Sequence, residues 1–175
     1  MTYPAGKSLI ANPLRREDGN TVAKLFTGFS KGSTLAKLDK ATGEMVVNVF
    51  EGGAWSIPSM TLDPGEGALL DLAGDEPVTV GYFGEALQGT LSSAIPAKPA
   101  LRSAMTPAQG GVATALGLPV AEGLEVQLLD NESGAYVTYT FADSAWQPSE
   151  PSVALGQAFR VSFATAVEWD QSVAY

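Results

Sequence analysis

The residues that could do chemistry in this chain are few. Glu17-Asp18 and Asp75-Glu76 are adjacent acids. Paired carboxylates can serve acid–base catalysis or glycoside cleavage when both reach one substrate. Neighbours in sequence rarely do so, and both pairs fall in expected loops, so they read as solvated. Asp39-Lys40-Ala41-Thr42-Gly43 and Asp130-Asn131-Glu132-Ser133-Gly134 could suggest calcium, which wants several oxygen ligands at alternating positions. The first places Lys40 among them; the second, with Asp130, Asn131 and Glu132, is better. Both read first as hairpin turns that need no metal. Trp55 and Trp146 could stack on sugars or anchor a core. Lys7, Arg15 and Arg16 form the basic cluster, and Arg15, Arg16, Glu17 and Asp18 together are the candidate interaction loop. Gly52-Gly53 and Gly65-Glu66-Gly67 lack the lysine and the strand–glycine–helix setting of a phosphate loop. No cofactor is implied.

What is missing narrows the chemistry. There is no His and no Cys among the 175 residues. Ser-His-Asp and Cys-His arrangements and disulfides are therefore excluded, and so are zinc sites that use His or Cys. Ten Lys and Arg stand against nineteen Asp and Glu, a formal charge of −9. The first half carries seven basic and eleven acidic residues, the second three and eight. Neither half offers the basic face that phosphate contacts demand, so nucleic acid is not expected as a partner. No apolar run is long enough for a membrane helix. The start, Met1 to Lys7, lacks the regions of a signal peptide. The expectation is a protein assembled inside a cell, or one whose signal has been removed.

The elements that must position these residues come twice. Pro4 to Leu9 aligns with Pro96 to Leu101 at an offset of 92, and after one deletion the offset is 91. Gly19 to Leu25 then meets Gly110 to Leu116, Leu38 to Gly43 meets Leu129 to Gly134, Val47 to Phe50 meets Thr138 to Phe141, and Ala54-Trp55 meets Ala145-Trp146. Such self-similarity marks a duplicated unit. The spacing predicts module 1 over 1–88, a connector over 89–98 ending in prolines, and module 2 over 99–175. Leu87, Leu91 and Ile95 could let part of the connector pair as a strand.

With 19 Gly and 11 Pro the chain is turn-rich. Short alternating runs such as Tyr136 to Phe141 are β-branched and aromatic. Each module predicts five or six strands and one short helix, near Thr21–Phe26 and Val112–Leu116. Asn20 is the expected N-cap of the first, and Thr106 to Gln109 suggests a capping box before the second. The expected fold is mainly β, two tandem antiparallel β-sandwich or barrel-like modules, each with one short helix.

Ser8 to Leu14, Gly19-Asn20-Thr21, Gly53 to Ser56 and Leu62 to Gly67 resemble a repeat of bacterial surface and secreted proteins, where paired β-rich modules recur. The resemblance covers nearly the whole chain but rests on turn and core residues. It implies an interaction scaffold and carries over no active site. The second module departs from it at Arg102, Ala104 and Leu155 to Ala158. Modules of this kind also decorate phage capsids and build tail parts.

The expected function is therefore a non-enzymatic virion structural protein, a capsid decoration, fibre or tail component. Its partners would be other structural proteins and copies of itself, with no membrane contact. Two like modules would let one subunit fill two quasi-equivalent positions. The alternative is a carbohydrate- or surface-binding module of a secreted or cell-surface protein. A third reading is a hydrolase using two carboxylates within about 10 Å of one another.

Overall fold

The computed structural model describes residues 1–39 and 42–173; Lys40 and Ala41, part of the first expected hairpin turn, lie outside the described residues. The first half contains β1 (Thr2–Tyr3), β2 (Gly6–Ile10), α1 (Val22–Leu25), β3 (Thr34–Leu38), β4 (Met45–Glu51), β5 (Ala54–Trp55), β6 (Ala68–Leu72) and β7 (Val78–Thr79). The second contains β8 (Gly89–Ile95), β9 (Ala100–Arg102), β10 (Gly110–Gly111), β11 (Leu124–Leu129), β12 (Tyr136–Ala142), β13 (Ala145–Gln147), β14 (Ser152–Val153), β15 (Phe159–Ser162) and β16 (Val167–Val173). The protein is mainly β, its sheets are antiparallel, and no sheet closes into a barrel.

The halves share one plan. The first five-stranded sheet runs β2-β6-β3-β4-β5 and the second β9-β15-β11-β12-β13, strand for strand at the sequence offset. Each half adds a two-stranded ribbon that joins its opening and closing segments, β1 to β7 and β8 to β16. The repeat extends to single bonds. Gly32 N–H donates to the Phe50 carbonyl and Gly123 N–H to the Phe141 carbonyl, both at 2.9 Å. Glu66 Oε2 accepts from Asp63 N–H at 2.8 Å, and Gln157 Oε1 from Ala154 N–H at 2.9 Å, across turns that both place a glycine at positive φ.

The expectations fail in two places. Among the described residues the second half has no helix. Val112–Leu116 is a single turn whose amides are held by the Pro151 and Gly111 carbonyls and by Glu150, which accepts from Ala113 and Thr114 N–H at 2.7 and 2.8 Å. With Gly110-Gly111 before it and Leu118-Pro119 after, too few residues remain to repay helix nucleation. No capping box forms at Thr106. In the first half the N-cap is Thr21. Asn20 is instead buried, accepting from Arg16 N–H and donating to Asp63 Oδ1, so it ties the opening loop to the turn after Leu62. In the expected connector, where Leu91 and Ile95 marked part of the segment as able to pair, 89–95 is a strand paired residue for residue with β16.

Each half has its own core. The first gathers Ile10, Val22, Phe26, Phe29, Leu35, Phe50, Trp55 and Leu70. The second gathers Ile95, Val112, Leu116, Val126, Phe159, Val161 and Trp169. A smaller cluster of Leu9, Ala11, Leu101, Leu129 and Ala158 joins them. The joint is reciprocal. Ile10 bridges Gln157 while Arg102 bridges Glu66, and Ala11 N–H donates to the Gly156 carbonyl while Ser103 N–H donates to that of Gly65. Like surfaces thus meet like, as in a two-fold dimer interface.

The second half shows how one local conflict is settled. The two-residue hairpin between β4 and β5 is Gly52-Gly53, both at positive φ, the geometry this turn demands. Its counterpart between β12 and β13 is Asp143-Ser144, at φ 53° and 62°. Both amides donate to Glu122, at 3.0 and 2.9 Å, which offsets the steric cost of left-handed backbone. Ser144→Gly is expected to raise stability by about 0.5–1 kcal/mol, read as a higher urea midpoint at unchanged slope. An unchanged or lower midpoint would show that the serine carries no strain.

Candidate interaction surfaces

The loop Arg15 to Asp18 is built between buried asparagines. Asn12 donates to the Leu62 carbonyl and accepts from Leu14 N–H, and Asn20 closes the far end. Arg16 grips Asp18 through two bonds of 2.9 and 3.1 Å, and Lys24 joins the same carboxylate at 3.2 Å. These cations hold the Asp18 carboxyl down at about 2. The loop therefore satisfies most of its own charge. Arg15 differs: its backbone pairs both ways with Glu85, at 2.9 Å each, while its side chain is exposed and in no ion pair among the described residues. Glu17, Asp75 and Glu76 are exposed.

The Asp130 to Gly134 segment is a side-chain-stabilised turn. Asp130 Oδ1 accepts from Glu132 and Ser133 N–H, and Gly134 sits at φ 68°. Those backbone bonds lower the Asp130 carboxyl below its ordinary value. In the first copy Asp39 holds Thr42 the same way. Among the described residues no three His, Cys, Asp or Glu side chains gather as metal ligands.

The two tryptophans part company. Trp55 is 4% exposed, donates to the Phe26 carbonyl at 2.8 Å and stacks against Phe29 and Phe50. It is a core anchor and closed to sugars. Trp146 is half-buried, with Phe141 as its ring neighbour at 5.5 Å, and its indole N–H has no partner among the described residues.

The sheet edges supply a surface that sequence could not locate. Because the Phe141 carbonyl faces β11, alternation turns the amides and carbonyls of Tyr136, Thr138, Thr140 and Ala142 outward. The partner strand β13 covers only Thr140 to Ala142. In β4 the same reasoning leaves Met45 and Val47 open, since Ser56 and β5 cover only Val49 to Glu51. Met45, Val47, Tyr136 and Val137 are each 41–51% exposed. The available sequence signal was the uncharged run 135–142, which natural edges usually interrupt with charge.

A cleft of about 690 Å³ separates the halves. Its charged lining is balanced, Lys37, Lys98 and Arg102 against Asp39, Glu66 and Glu168. Lys37 is bound to Glu66 and to the Thr61 carbonyl. Burial draws Arg102 below its ordinary value, against the pull of Glu66. Neither adjacent acid pair lines this cleft, so the carboxylates proposed for hydrolysis stand outside it.

No protein-family model, no curated protein and no solved structure matches the chain.

Proposed function

We propose that the protein is a non-enzymatic structural component of a larger assembly, a virion decoration, fibre or tail protein, acting through protein–protein contacts with copies of itself and other structural proteins. Each half is read as a small sandwich, a five-stranded sheet closed by its ribbon, and 1–88 and 99–175 as copies of one module. The observation that carries the reading is the outer edge. Both halves leave part of the outer edge of the same strand, β4 or β12, open at the same register among the described residues, with apolar side chains beside the open backbone groups. Open edges are templates for pairing with another chain.

Quantitative mass spectrometry of gradient-purified particles from the native source tests it. The expected result is a fixed copy number per particle that survives a high-salt wash. Placing charge on both edges, Val47→Lys with Thr138→Lys, is expected to lower that number without moving the melting temperature. Protein found only in the soluble fraction overturns the reading.

The half-exposed Trp146 favours a second reading, a carbohydrate- or surface-binding module that stacks a sugar on that ring. Glycan binding that quenches Trp146 fluorescence and is lost in Trp146→Ala would support it.

A further inference from the structure

Both halves put a Phe–Trp pair on the outer hairpin, yet only one pair is sealed. In the first half Phe29 lies 5.5 Å from Trp55 and 6.2 Å from Phe50, and all three are buried. The position matching Phe29 is Val120. The match is structural as well as sequential: three residues on, Gly32 and Gly123 make the same bond to Phe50 and Phe141. Phe26, the other ring on the first pair's side, is matched by Gly117. Val120 is 45% exposed, and Phe141 and Trp146 are left half-buried. Module 1 therefore displays what fits over such a pair, a phenylalanine ring, and module 2 lacks it.

The chain carries one phenylalanine with nothing to cover it. Phe83 is 71% exposed. It is held in place, since its ring packs over Gly81 and the Arg15–Glu85 backbone pair fixes the chain two residues on. Gly84 allows that approach; a Cβ there would stand 2.4 Å from the Arg15 carbonyl oxygen. Charge agrees with the fit. Next to Phe83, Arg15 pairs its backbone with Glu85, and its exposed side chain is in no ion pair among the described residues. The rim of the Trp146 site carries Glu122 and Asp143, neither in an ion pair among the described residues.

We infer that Phe83 of one copy seats on the Phe141–Trp146 pair of the next, with Arg15 facing Glu122 and Asp143. The contact is head-to-tail, so it propagates into a ring or a filament. This inference rests on the assembly reading above and names the partner and the surface.

Sedimentation velocity over a concentration series tests it. Wild type is expected to form species larger than a monomer, with the Trp146 emission shifting to the blue. Phe83→Ser removes the knob at an exposed site and leaves the fold intact. Val120→Phe rebuilds the module 1 seal, so it is expected to raise the melting temperature. Each variant alone is expected to be monomeric. Mixed, Phe83→Ser supplies the socket and Val120→Phe the knob, and a 1:1 dimer that grows no further is expected. Wild type that stays monomeric throughout overturns the inference, including the case where a glycan occupies Trp146. Self-association unchanged in both variants overturns it too, while leaving assembly through the strand edges standing.

Discussion

Trp55→Ala lowers stability by about 3–5 kcal/mol, while Trp146→Ala, at the matched position of the same repeat, lowers it by about 1–2 kcal/mol. The difference comes from what surrounds each ring. Trp55 sits among Phe26, Phe29 and Phe50, and Phe26 in turn packs edge-on against Tyr82. Truncation opens a cavity in that cluster and strips the Phe26 carbonyl of its donor at a buried site. Trp146 has one aromatic neighbour and already faces solvent, so truncation removes less apolar contact and orphans no buried carbonyl among the described residues. Urea unfolding of the two variants checks this. Equal losses would mean that the second hairpin is anchored as the first is.

That contrast also shows how far the sequence can be read. The repeat is legible because its markers are backbone requirements. Gly43 and Gly134, and Gly65 and Gly156, sit at positive φ in matched turns, and a side chain there is strained. Strand order follows from the repeat once one half is known. The fate of the tryptophans was hidden, because it depends on Phe26 and Phe29, some thirty residues upstream of Trp55, and on their replacement by Gly117 and Val120. The helix over Val112–Leu116 failed because local propensity in so short a segment yields to the flanking glycines and proline. Segment 89–95 is a strand because β16 offers it seven residues of pairing; Leu91 and Ile95 marked it as able to pair, but its small polar composition did not give the distant partner. Of the candidate loop, the adjacency of Arg16 and Asp18 was visible. That Asp18 would consume both Arg16 and Lys24, leaving Arg15 as the free cation, depended on the loop's fold.

The turn after Leu62, beside the joint between the halves, carries a charge pair for which the protein itself supplies the neutral control. Lys37 and Glu66 are 12% and 10% exposed at their side chains, and the carboxylate also accepts from Asp63 N–H. The Glu66 backbone bridges Arg102, and its carbonyl accepts from the Ser103 hydroxyl at 2.8 Å. Lys37→Leu removes the cation bound to this carboxylate, and the expected loss is about 3 kcal/mol, at the lower end for breaking a buried pair because some solvent reaches it. At the matched positions the second half has Leu128 and Gln157, and Gln157 makes the same turn bond to Ala154 N–H without any charge. Lys37→Leu with Glu66→Gln copies that solution. Coupling between directly bonded residues makes the two changes non-additive, and the double variant is expected to recover most of what the single one loses. Urea unfolding of the single variants and the double one closes the cycle. Recovery would mean that the ion pair sets the chemistry of the first turn without being needed for its shape, since an amide performs the same backbone task 91 residues later. Additive losses would show that module 1 depends on the charge itself, and that the two turns, alike in their bonds, are held by different forces.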